Sequence, residues 1–385
     1  MSGTGHATGR RRLLLAGMVL LAGCTPASTP PPPSGNRTAP TPSGTAAAQG
    51  GRMVLLTNGN SPFWDACRFG LQQGAKDFQL ADDGLAALME VNDGSPQGQI
   101  DKLRQFASQT DIVAVAVSAL DADNVAVADE MRKLRARGVH VICVDADVNR
   151  QSLRDARSYY IGTDNLTGGR VLGTAARGLL AERGIDQGGY VQFVGRTGSH
   201  NARERMDGFK EAVGERFQEA DRMGDDLDRT RARDNVRNAL RNHPDLVALV
   251  GIWSYNAPAI VDVVTQEQKR DQFTIVTFDA EPIAIKQMAQ GSIDAMVVQN
   301  PYEMGYQAVR LMKALIQQDE AVEREMFPRA DQADGDLYDT GLKVVVAGSD
   351  APLKRDHFAA YGDRVQFLTL DEFQAWLDEY SLKGS

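Results

Sequence analysis

Short apolar runs alternate with amphipathic helical segments along the chain from Met53 onward. Runs such as Ile112–Val117 are apolar at every position, which is typical of strands covered by helices on both faces. Segments such as Asn165–Glu182 instead repeat apolar residues at helical spacing. Strands that alternate with helices in this way predict parallel sheets with helices on both faces.

The pattern predicts ten strands and ten helices. The predicted strands are Met53–Thr57, Leu85–Val91, Ile112–Val117, Val139–Asp145, Tyr159–Gly162, Tyr190–Val194, Leu246–Ile252, Phe273–Phe278, Ala295–Val298 and Gly341–Ala347. The predicted helices are Pro62–Phe78, Pro96–Gln109, Asp123–Arg137, Asn165–Glu182, Asn201–Val213, Ala232–Asn242, Ala257–Gln268, Pro282–Gln290, Pro301–Ile316 and Asp371–Leu382.

The alternation of strands and helices restarts at Tyr159, and the number of predicted strands is too large for one open sheet. We therefore expect an α/β fold of two doubly wound parallel-sheet lobes, with a ligand cleft where the strand ends face each other. The expected lobes are residues 52–163 plus 300–328 and residues 164–299 plus 337–385, the second with a C-terminal extension that has no functional interpretation. Three crossings are expected to form the hinge, near Gly162–Asp164, Gln299–Asn300 and Pro328–Thr340.

Residues 1–23 have the features of an export signal. Arg10, Arg11 and Arg12 precede the apolar run Leu13–Ala22, which is shorter than the ~20 residues that span a bilayer. The segment Leu21-Ala22-Gly23-Cys24 resembles the lipobox of bacterial lipoproteins, which implies cleavage before Cys24 and lipidation of that residue. A plain signal peptide is the alternative. The expected protein is exported and lipid-anchored, facing the periplasm or the cell exterior, and the anchoring membrane stays open.

Residues 24–51 are expected to form a tether. Seven of the fifteen prolines of the chain lie between Pro26 and Pro42, among Ser, Thr, Ala and Gly. Such a segment has too little apolar surface to offset its ordering entropy, and its prolines stiffen it toward an extended spacer.

Composition and charge narrow the class of partner. The net charge of −9 argues against a nucleic-acid partner, because a phosphate backbone requires a basic surface. No Cys or His cluster has the spacing of a zinc site. Cys67 and Cys143 lie in different predicted elements, so two buried thiols are favoured over a disulfide, although a disulfide stays open.

Polar and aromatic residues gather where the predicted strands end, which is where such folds bind ligands. The candidates are Asn60, Ser61, Phe63, Trp64, Ser118, Asp145, Arg203, Trp253, Asn256, Asp279 and Gln299. Asn201 is expected to cap the helix that carries Arg203, because Asn201 and Glu204 have capping-box spacing. Singly, each candidate is also compatible with a helix cap, a turn or the core. Their coincidence at equivalent strand ends favours a pocket.

These residue types suit a polyhydroxylated small molecule. Carboxylates accept hydrogen bonds from hydroxyl groups, a guanidinium donates several, and aromatic rings cover the C–H faces of a sugar ring. An enzyme is the rival interpretation, with Asp145 and Asp279 as a glycosidase pair. The chain has no Gly-x-Ser-x-Gly, His-Glu-x-x-His or Walker motif, which argues against it.

Four segments resemble the periplasmic binding proteins of the ribose-binding type, the sugar-capturing subunits of ABC importers. They are Asn60-Ser61-Pro62-Phe63-Trp64, the Asn-Ala-Arg-Glu-Arg-Met-Asp-Gly-Phe run at 201–209, Val276-Thr277-Phe278-Asp279, and the Gly-Ser-Ile-Asp-Ala run at 291–295 leading to Gln299-Asn300-Pro301. The resemblance extends from about Met53 to Ile316 and implies the type I periplasmic binding protein fold.

The resemblance also implies roles for individual residues. Ser61, Phe63 and Trp64 are expected to line the first lobe, while Asp145, Arg203, Asp279 and Gln299 are expected to bond sugar hydroxyls. Two departures separate this chain from ribose-specific members, which place Arg at the position of Ala146 and Asn at that of Trp253. The ligand class therefore transfers better than the ligand identity.

The expected function is capture of a monosaccharide or related polyol by hinge closure and its delivery to an ABC permease by a monomeric protein. Neither cofactor nor metal nor catalysis is required. The alternative is a subunit that presents a sugar or a signalling furanose to a sensing system. A gene repressor needs an N-terminal helix-turn-helix, where this chain has the lipobox.

Overall fold

The structure is a computed structural model that describes residues 50–332 and 334–385. The expected signal, Cys24 and nearly all of the tether lie outside the described residues. The strands are β1 (Gly51–Leu56), β2 (Leu85–Glu90), β3 (Ile112–Val117), β4 (His140–Val144), β5 (Tyr160–Gly162), β6 (Gly188–Val194), β7 (Phe217–Gly224), β8 (Leu246–Gly251), β9 (Thr274–Phe278), β10 (Ala295–Val298), β11 (Leu337–Asp339), β12 (Leu342–Val346) and β13 (Val365–Thr369).

The helices alternate with these strands. They are α1 (Phe63–Asp77), α2 (Pro96–Ala107), α3 (Val125–Ala136), α4 (Asn165–Glu182), α5 (His200–Val213), α6 (Arg229–Asn242), α7 (Asn256–Gln266), α8 (Pro282–Ala289), α9 (Pro301–Gln317), α10 (Glu320–Met326) and α11 (Leu370–Glu379). The described helices include none that is both long enough and apolar enough to cross a membrane.

The first sheet contains six strands in the order β11-β5-β4-β3-β1-β2, and all of its pairings are parallel. Apolar side chains of β1, β3 and β4 alternate between two clusters, one under α1 and α9 and the other under α2 and α3. Burial on both faces explains why these strands are apolar at nearly every position. We call this sheet and its helices the first lobe.

The second sheet has seven strands in the order β13-β12-β10-β9-β8-β6-β7. Its pairings are parallel except that between β10 and β12, which is antiparallel. Its apolar side chains also divide into two clusters, with α4 and α5 on one face and α6, α7, α8 and α11 on the other. We call this sheet and its helices the second lobe.

The chain crosses between the sheets three times, after β5, β10 and β11. The predicted α/β fold of two doubly wound lobes is therefore confirmed. One boundary differs, because Leu337–Asp339 pairs with β5 in the first sheet, whereas the sequence prediction placed it in the second lobe. A buried ion network accompanies this strand, in which Asp336 accepts hydrogen bonds from Arg150, Arg154 and Arg157.

All twenty predicted elements are present, with ends within three residues of those predicted. The structure adds β7, α10, β11 and β13. β7 and β13 form the two edges of the second sheet, so they lack the continuous apolar run that identifies a central strand. The predicted role of the Gly341–Ala347 run, completion of the second lobe, is confirmed by β12.

Candidate ligand-binding cleft

A cavity that is partly open to solvent lies between the carboxyl ends of the strands of the two sheets, and its space, open solvent included, is about 460 Å³. The first lobe lines it with Asn58, Gly59, Asn60, Ser61, Phe63, Trp64 and Asp145. The second lobe and the β10 crossing line it with Asn201, Arg205, Leu227, Trp253, Ser254, Tyr255, Asp279 and Gln299. Parallel strands bring these residues together because their carboxyl ends share one edge of each sheet.

The first-lobe wall follows β1. Thr57 orders the loop, since its hydroxyl donates to the Gly59 carbonyl at 2.8 Å and accepts from the Asn92 amide at 3.0 Å. Helix α1 then begins at the cavity and presents Phe63 and Trp64 as an edge-to-face pair with ring centroids 5.1 Å apart. The wall is therefore two fixed aromatic rings beside a loop of polar side chains.

Asp145 directly follows β4 and is buried, with its backbone at a φ of +64°. Its carboxylate accepts from the Ser118 hydroxyl at 2.9 Å and from the Asn58 amide at 3.4 Å. Burial raises the pKa of Asp145, while the Arg205 charge and the Ser118 hydrogen bond oppose that rise. Ser118 thus lies behind the cavity, where it orients Asp145.

Asp279 occupies the equivalent place after β9, with a φ of +62°. Its Oδ1 accepts from the Gln299 amide at 2.8 Å, and the Gln299 carbonyl oxygen Oε1 accepts from the Thr163 hydroxyl at 2.8 Å. Burial raises the pKa of Asp279 to about 7, against the lowering effect of Arg205. Two hinge crossings therefore support this carboxylate, because Thr163 and Gln299 lie in them.

The Arg205 charge lowers the pKa of both carboxylates, and Arg205 is 1% exposed. Its Nε donates to Asn165 at 2.9 Å, and its Nη1 lies 3.7 Å from Oδ2 of Asp279. The guanidinium carbon lies 3.9 Å from the centroid of the Phe278 ring. Its Nη2 is buried and has no hydrogen-bond partner among the described residues, so one donor in the cleft is unused.

The prediction that Arg203 lies in this cleft is wrong. Arg203 is more than a third exposed, and its Nη1 pairs with Asp123 of the first lobe at 2.6 Å. The cause is the helical period, since residues four apart share a face and residues two apart do not. Asn201 and Arg205 line the cavity together, whereas Arg203 is not among its lining residues.

The capping prediction for α5 is also wrong. Ser199 is the N-cap, without a side-chain cap hydrogen bond, and the helix begins at His200. The Asn201 side chain is therefore free to face the cavity, where its carbonyl oxygen accepts from the Trp253 indole at 3.2 Å.

Trp253 and its neighbours form the second-lobe wall after β8. Asn256 is buried behind this wall, where its Oδ1 accepts from the Trp253 amide at 3.0 Å and its Nδ2 donates to Asp225 at 2.9 Å. The Tyr255 hydroxyl donates to the same carboxylate, and burial raises the pKa of Asp225 to about 6. Asp225 also accepts from the amide of Leu227, which lines the cavity.

Eight of the eleven candidates from the sequence line the cavity: Asn60, Ser61, Phe63, Trp64, Asp145, Trp253, Asp279 and Gln299. Ser118 and Asn256 support it from behind, and Arg203 lies outside it. Sequence reasoning missed the other seven lining residues, which are Asn58, Gly59, Asn201, Arg205, Leu227, Ser254 and Tyr255. The apolar positions Ala202, Met206 and Phe209 identify the buried face of α5 and could have indicated Arg205. Leu227 gave no such signal because it follows β7, which was not predicted.

The cleft offers acceptors, donors and aromatic faces at short range. Its carboxylates accept hydrogen bonds, its guanidinium and amides donate them, and its rings cover apolar C–H surfaces. Within residues 50–332 and 334–385, no group of three or more His, Cys, Asp or Glu side chains is arranged to hold a metal ion. Cys67 and Cys143 are both buried free thiols.

The fold and this cleft are those of a periplasmic binding protein. The family model for a periplasmic binding protein domain matches residues 52–320, and the chain belongs to this family. It is 24% identical over 269 residues to the D-allose-binding periplasmic protein of Escherichia coli (strain K12), covering 67% of this chain and 82% of that protein. It is 25% identical over 275 residues to the ribose import binding protein RbsB of Salmonella typhimurium, covering 70% and 86%.

Solved structures share the fold. An ABC transporter solute-binding protein from Burkholderia graminis C4D1M, in complex with D-arabinose, has a TM-score of 0.66 at 23% identity, covering 82% of this chain and 98% of that one. GanP, a glucose-galactose binding protein from Geobacillus stearothermophilus, has a TM-score of 0.65 at 22% identity, covering 79% and 99%. The family resemblance and the type I periplasmic binding protein fold expected from the sequence are thereby confirmed.

Proposed function

We propose that this protein binds a monosaccharide or related polyol in the interlobe cleft by hinge closure and delivers it to an ABC permease. One observation carries the proposal: each lobe supplies a buried carboxylate and aromatic rings to one cavity, and Arg205 lines that cavity with a donor that is unused among the described residues. A ligand that bonds both lobes favours the closed state, so binding shifts the open–closed population.

The ligand residues we propose are the lining residues of the cavity. Asp145 and Asp279 accept from sugar hydroxyls, Arg205 and Gln299 donate, and Phe63, Trp64 and Trp253 cover the faces of the ring. Arg205 replaces Arg203 in this proposal. Relatives named for D-allose and ribose, and similar structures with D-arabinose, support a pentose or hexose.

The first experiment is a thermal-shift screen against D-ribose, D-allose, D-arabinose, D-tagatose and short polyols, followed by calorimetry. A ligand at 100 times its Kd stabilises the folded protein by about 2.7 kcal/mol, which a melting curve detects. Arg205→Ala is expected to lose the shift, and Arg203→Ala to keep most of it. The unliganded melting curve of each variant controls for folding. Absence of a shift with every sugar would contradict the proposal.

We also propose that the bound sugar leaves unchanged. Prolonged incubation of the protein with the sugar that binds, followed by chromatography, is expected to return that sugar intact. A hydrolysed or oxidised product would instead assign an enzyme.

Delivery to a permease and presentation to a sensor use the same cleft, so binding does not separate them. Uptake of labelled sugar, compared between cells with and without the gene, distinguishes the two functions. We expect uptake to fall when the gene is deleted. We also expect light scattering to show that the purified protein is a monomer in solution. Unchanged uptake with altered sugar-dependent transcription would favour the sensing subunit.

The lipid anchor at Cys24 is part of the same proposal, supported by the Leu-Ala-Gly-Cys segment. The full-length protein is expected in the membrane fraction, and Cys24→Ala is expected to release it in soluble exported form. Wild-type protein that is freely soluble after export would contradict the anchor.

A further inference from the structure

The C-terminal extension returns to the cleft after it completes the second lobe. Helix α11 packs Leu370, Phe373 and Leu377 into the apolar cluster beneath α7 and α8. The helix then ends in a Schellman turn, with Ser381 at a φ of +55° and the Leu382 amide donating to the Leu377 carbonyl at 2.8 Å. This turn directs residues 382–385, which we call the tail, back toward the hinge.

The tail is held by apolar burial at Leu382 and by hydrogen bonds at Ser385. Leu382 is 6% exposed and belongs to the same apolar cluster as Ala280. Ser385 is 2% exposed, and its amide donates to the Ala280 carbonyl at 3.0 Å, while the Ala280 amide donates to the backbone oxygen of Ser385 at 2.5 Å. The Ser385 hydroxyl donates to the Gln299 carbonyl at 2.9 Å.

These three hydrogen bonds fall on the backbone of the two residues that hold the second-lobe side of the cleft. Ala280 directly follows Asp279, whose left-handed backbone conformation costs of order 1–3 kcal/mol for a residue other than glycine. Such a conformation persists only where its surroundings fix it. Gln299, the other residue, bonds the Asp279 carboxylate.

Gly384 allows the tail to approach this closely. A Cβ atom there would lie 2.6 Å from the Ala280 carbonyl oxygen and 2.9 Å from Cδ of Pro282. Both atoms belong to the rigid start of α8 and its preceding loop, so neither can move without moving Ala280. The tail therefore fits against the Asp279 loop only with glycine at position 384.

We propose that the tail is a positioning element of the binding cleft, which fixes Asp279 and Gln299 in the geometry that the ligand requires. This inference rests on the proposed function, because it assigns the tail to the same sugar site. The extension thus contributes backbone hydrogen bonds to the site without contacting the ligand.

Gly384→Ala is the direct test, with Lys383→Ala as its matched control because the Lys383 side chain is exposed. The probe is whichever of D-ribose, D-allose, D-arabinose and D-tagatose gives the largest thermal shift with the wild type. Gly384→Ala is expected to weaken its affinity by about tenfold in calorimetry, which corresponds to loss of the Asp279 geometry. Lys383→Ala is expected to bind as the wild type does.

Hydrogen exchange supplies a readout that requires no ligand. The Ala280 amide is bonded to the tail, so its exchange is expected to accelerate in Gly384→Ala and in a chain ending at Leu382. Exchange in the central strands β6 and β8 is expected to stay slow, which separates a local effect from unfolding.

Unchanged exchange at Ala280 in both variants would overturn the inference, whatever the wild type binds. Unchanged sugar affinity with faster exchange would also overturn it, since the tail would then hold the loop without serving the site. If the wild type binds none of the sugars while Ala280 exchange accelerates in both variants, the tail still fixes the Asp279 loop. That result would contradict the proposed function alone.

Discussion

Two aspartates at equivalent strand ends combine backbone strain with burial. Asp145 after β4 and Asp279 after β9 have φ values of +64° and +62°, and both are nearly inaccessible. Asp tolerates this conformation better than most residues, but two such buried carboxylates are costly, and costs of this kind cluster at binding sites. Arg205 opposes the rise in pKa at both. One side chain therefore compensates two unfavourable positions.

The raised pKa of Asp279 makes the stability of the ligand-free protein depend on pH. Burial raises this pKa to about 7, above the unfolded value of about 4. The folded state therefore binds a proton more tightly, so this contribution to stability is complete below about pH 4 and is lost as pH rises through 7. Asp279→Asn removes the titration while keeping the acceptor for Gln299.

We therefore expect the difference in melting temperature between Asp279→Asn and wild type to grow in favour of the variant from pH 4 to pH 8. A rise of the pKa from about 4 to about 7 corresponds to a full difference of roughly a few kcal/mol. Unliganded melting curves across that range measure it. Parallel curves for the two proteins would contradict the raised pKa.

Sequence reasoning identified the strand-end residues because parallel topology fixes where strand ends lie. It chose the wrong arginine in α5 because the incorrect N-cap placed Arg203 in the first turn, and nearness to the start of a helix does not fix which face a side chain occupies. Positions 203 and 205 differ by about 200° around a helix of 3.6 residues per turn. The phase was nevertheless present in the sequence, in Ala202, Met206 and Phe209.

In each lobe, glycines allow two helices to pack closely enough for their backbones to touch, and this packing positions the cleft. A Cβ on Gly169 of α4 would lie 2.1 Å from the Arg205 carbonyl oxygen, and one on Gly208 of α5 would lie 2.2 Å from that of Leu166. In the first lobe, Gly70 of α1 and Gly305 of α9 meet the backbones of Tyr302 and Cys67 in the same way. In each lobe, one helix of the pair carries cleft residues at its start.

Gly169→Ala and Gly178→Ala test this packing within one helix. The new Cβ at position 169 meets backbone, whereas that at position 178 meets the end of the Leu353 side chain at 2.8 Å. Overpacking against backbone costs about 1–3 kcal/mol, while alanine in a helix gains up to about 1 kcal/mol over glycine. Gly169→Ala is therefore expected to melt several degrees below Gly178→Ala in calorimetry and to bind sugar more weakly, because α5 moves with Arg205. Equal melting temperatures would contradict this account.

The three strands that sequence reasoning missed share a physical cause. β7 has the sequence Phe-Gln-Glu-Ala-Asp-Arg-Met-Gly and lies at a sheet edge, where polar side chains are compatible with both faces. β13 lies at the other edge, and β11 has only three residues. Such strands are specified by the partner that they pair with, so local pattern carries little of the information. For this reason, the sequence did not predict that Leu227, which follows β7, lines the cleft.

Within residues 50–332 and 334–385, several contacts join the two lobes across the cleft. Arg203 pairs with Asp123, Arg196 donates to the Gly94 carbonyl at 3.2 Å, and Ser199 donates to the Leu120 carbonyl. On the second-lobe side, these contacts come from the start of α5 and from the loop before it. Their formation requires closure, so they affect the open–closed equilibrium rather than ligand contact.

The pair between Arg203 and Asp123 supplies a prediction at this scale. Both side chains are more than a third exposed, and exposed pairs of this kind contribute about 0.2–1 kcal/mol. Arg203→Ala is therefore expected to weaken sugar binding by no more than about fivefold, far less than Arg205→Ala. The deficit is expected to shrink in 1 M salt, because the Debye length there is about 3 Å. Calorimetry at low and high salt, with Asp123→Ala and the double variant completing a cycle, measures the coupling. A loss for Arg203→Ala as large as that for Arg205→Ala at both salt concentrations would mean that Arg203 bonds the ligand directly and that the pair with Asp123 does not govern closure.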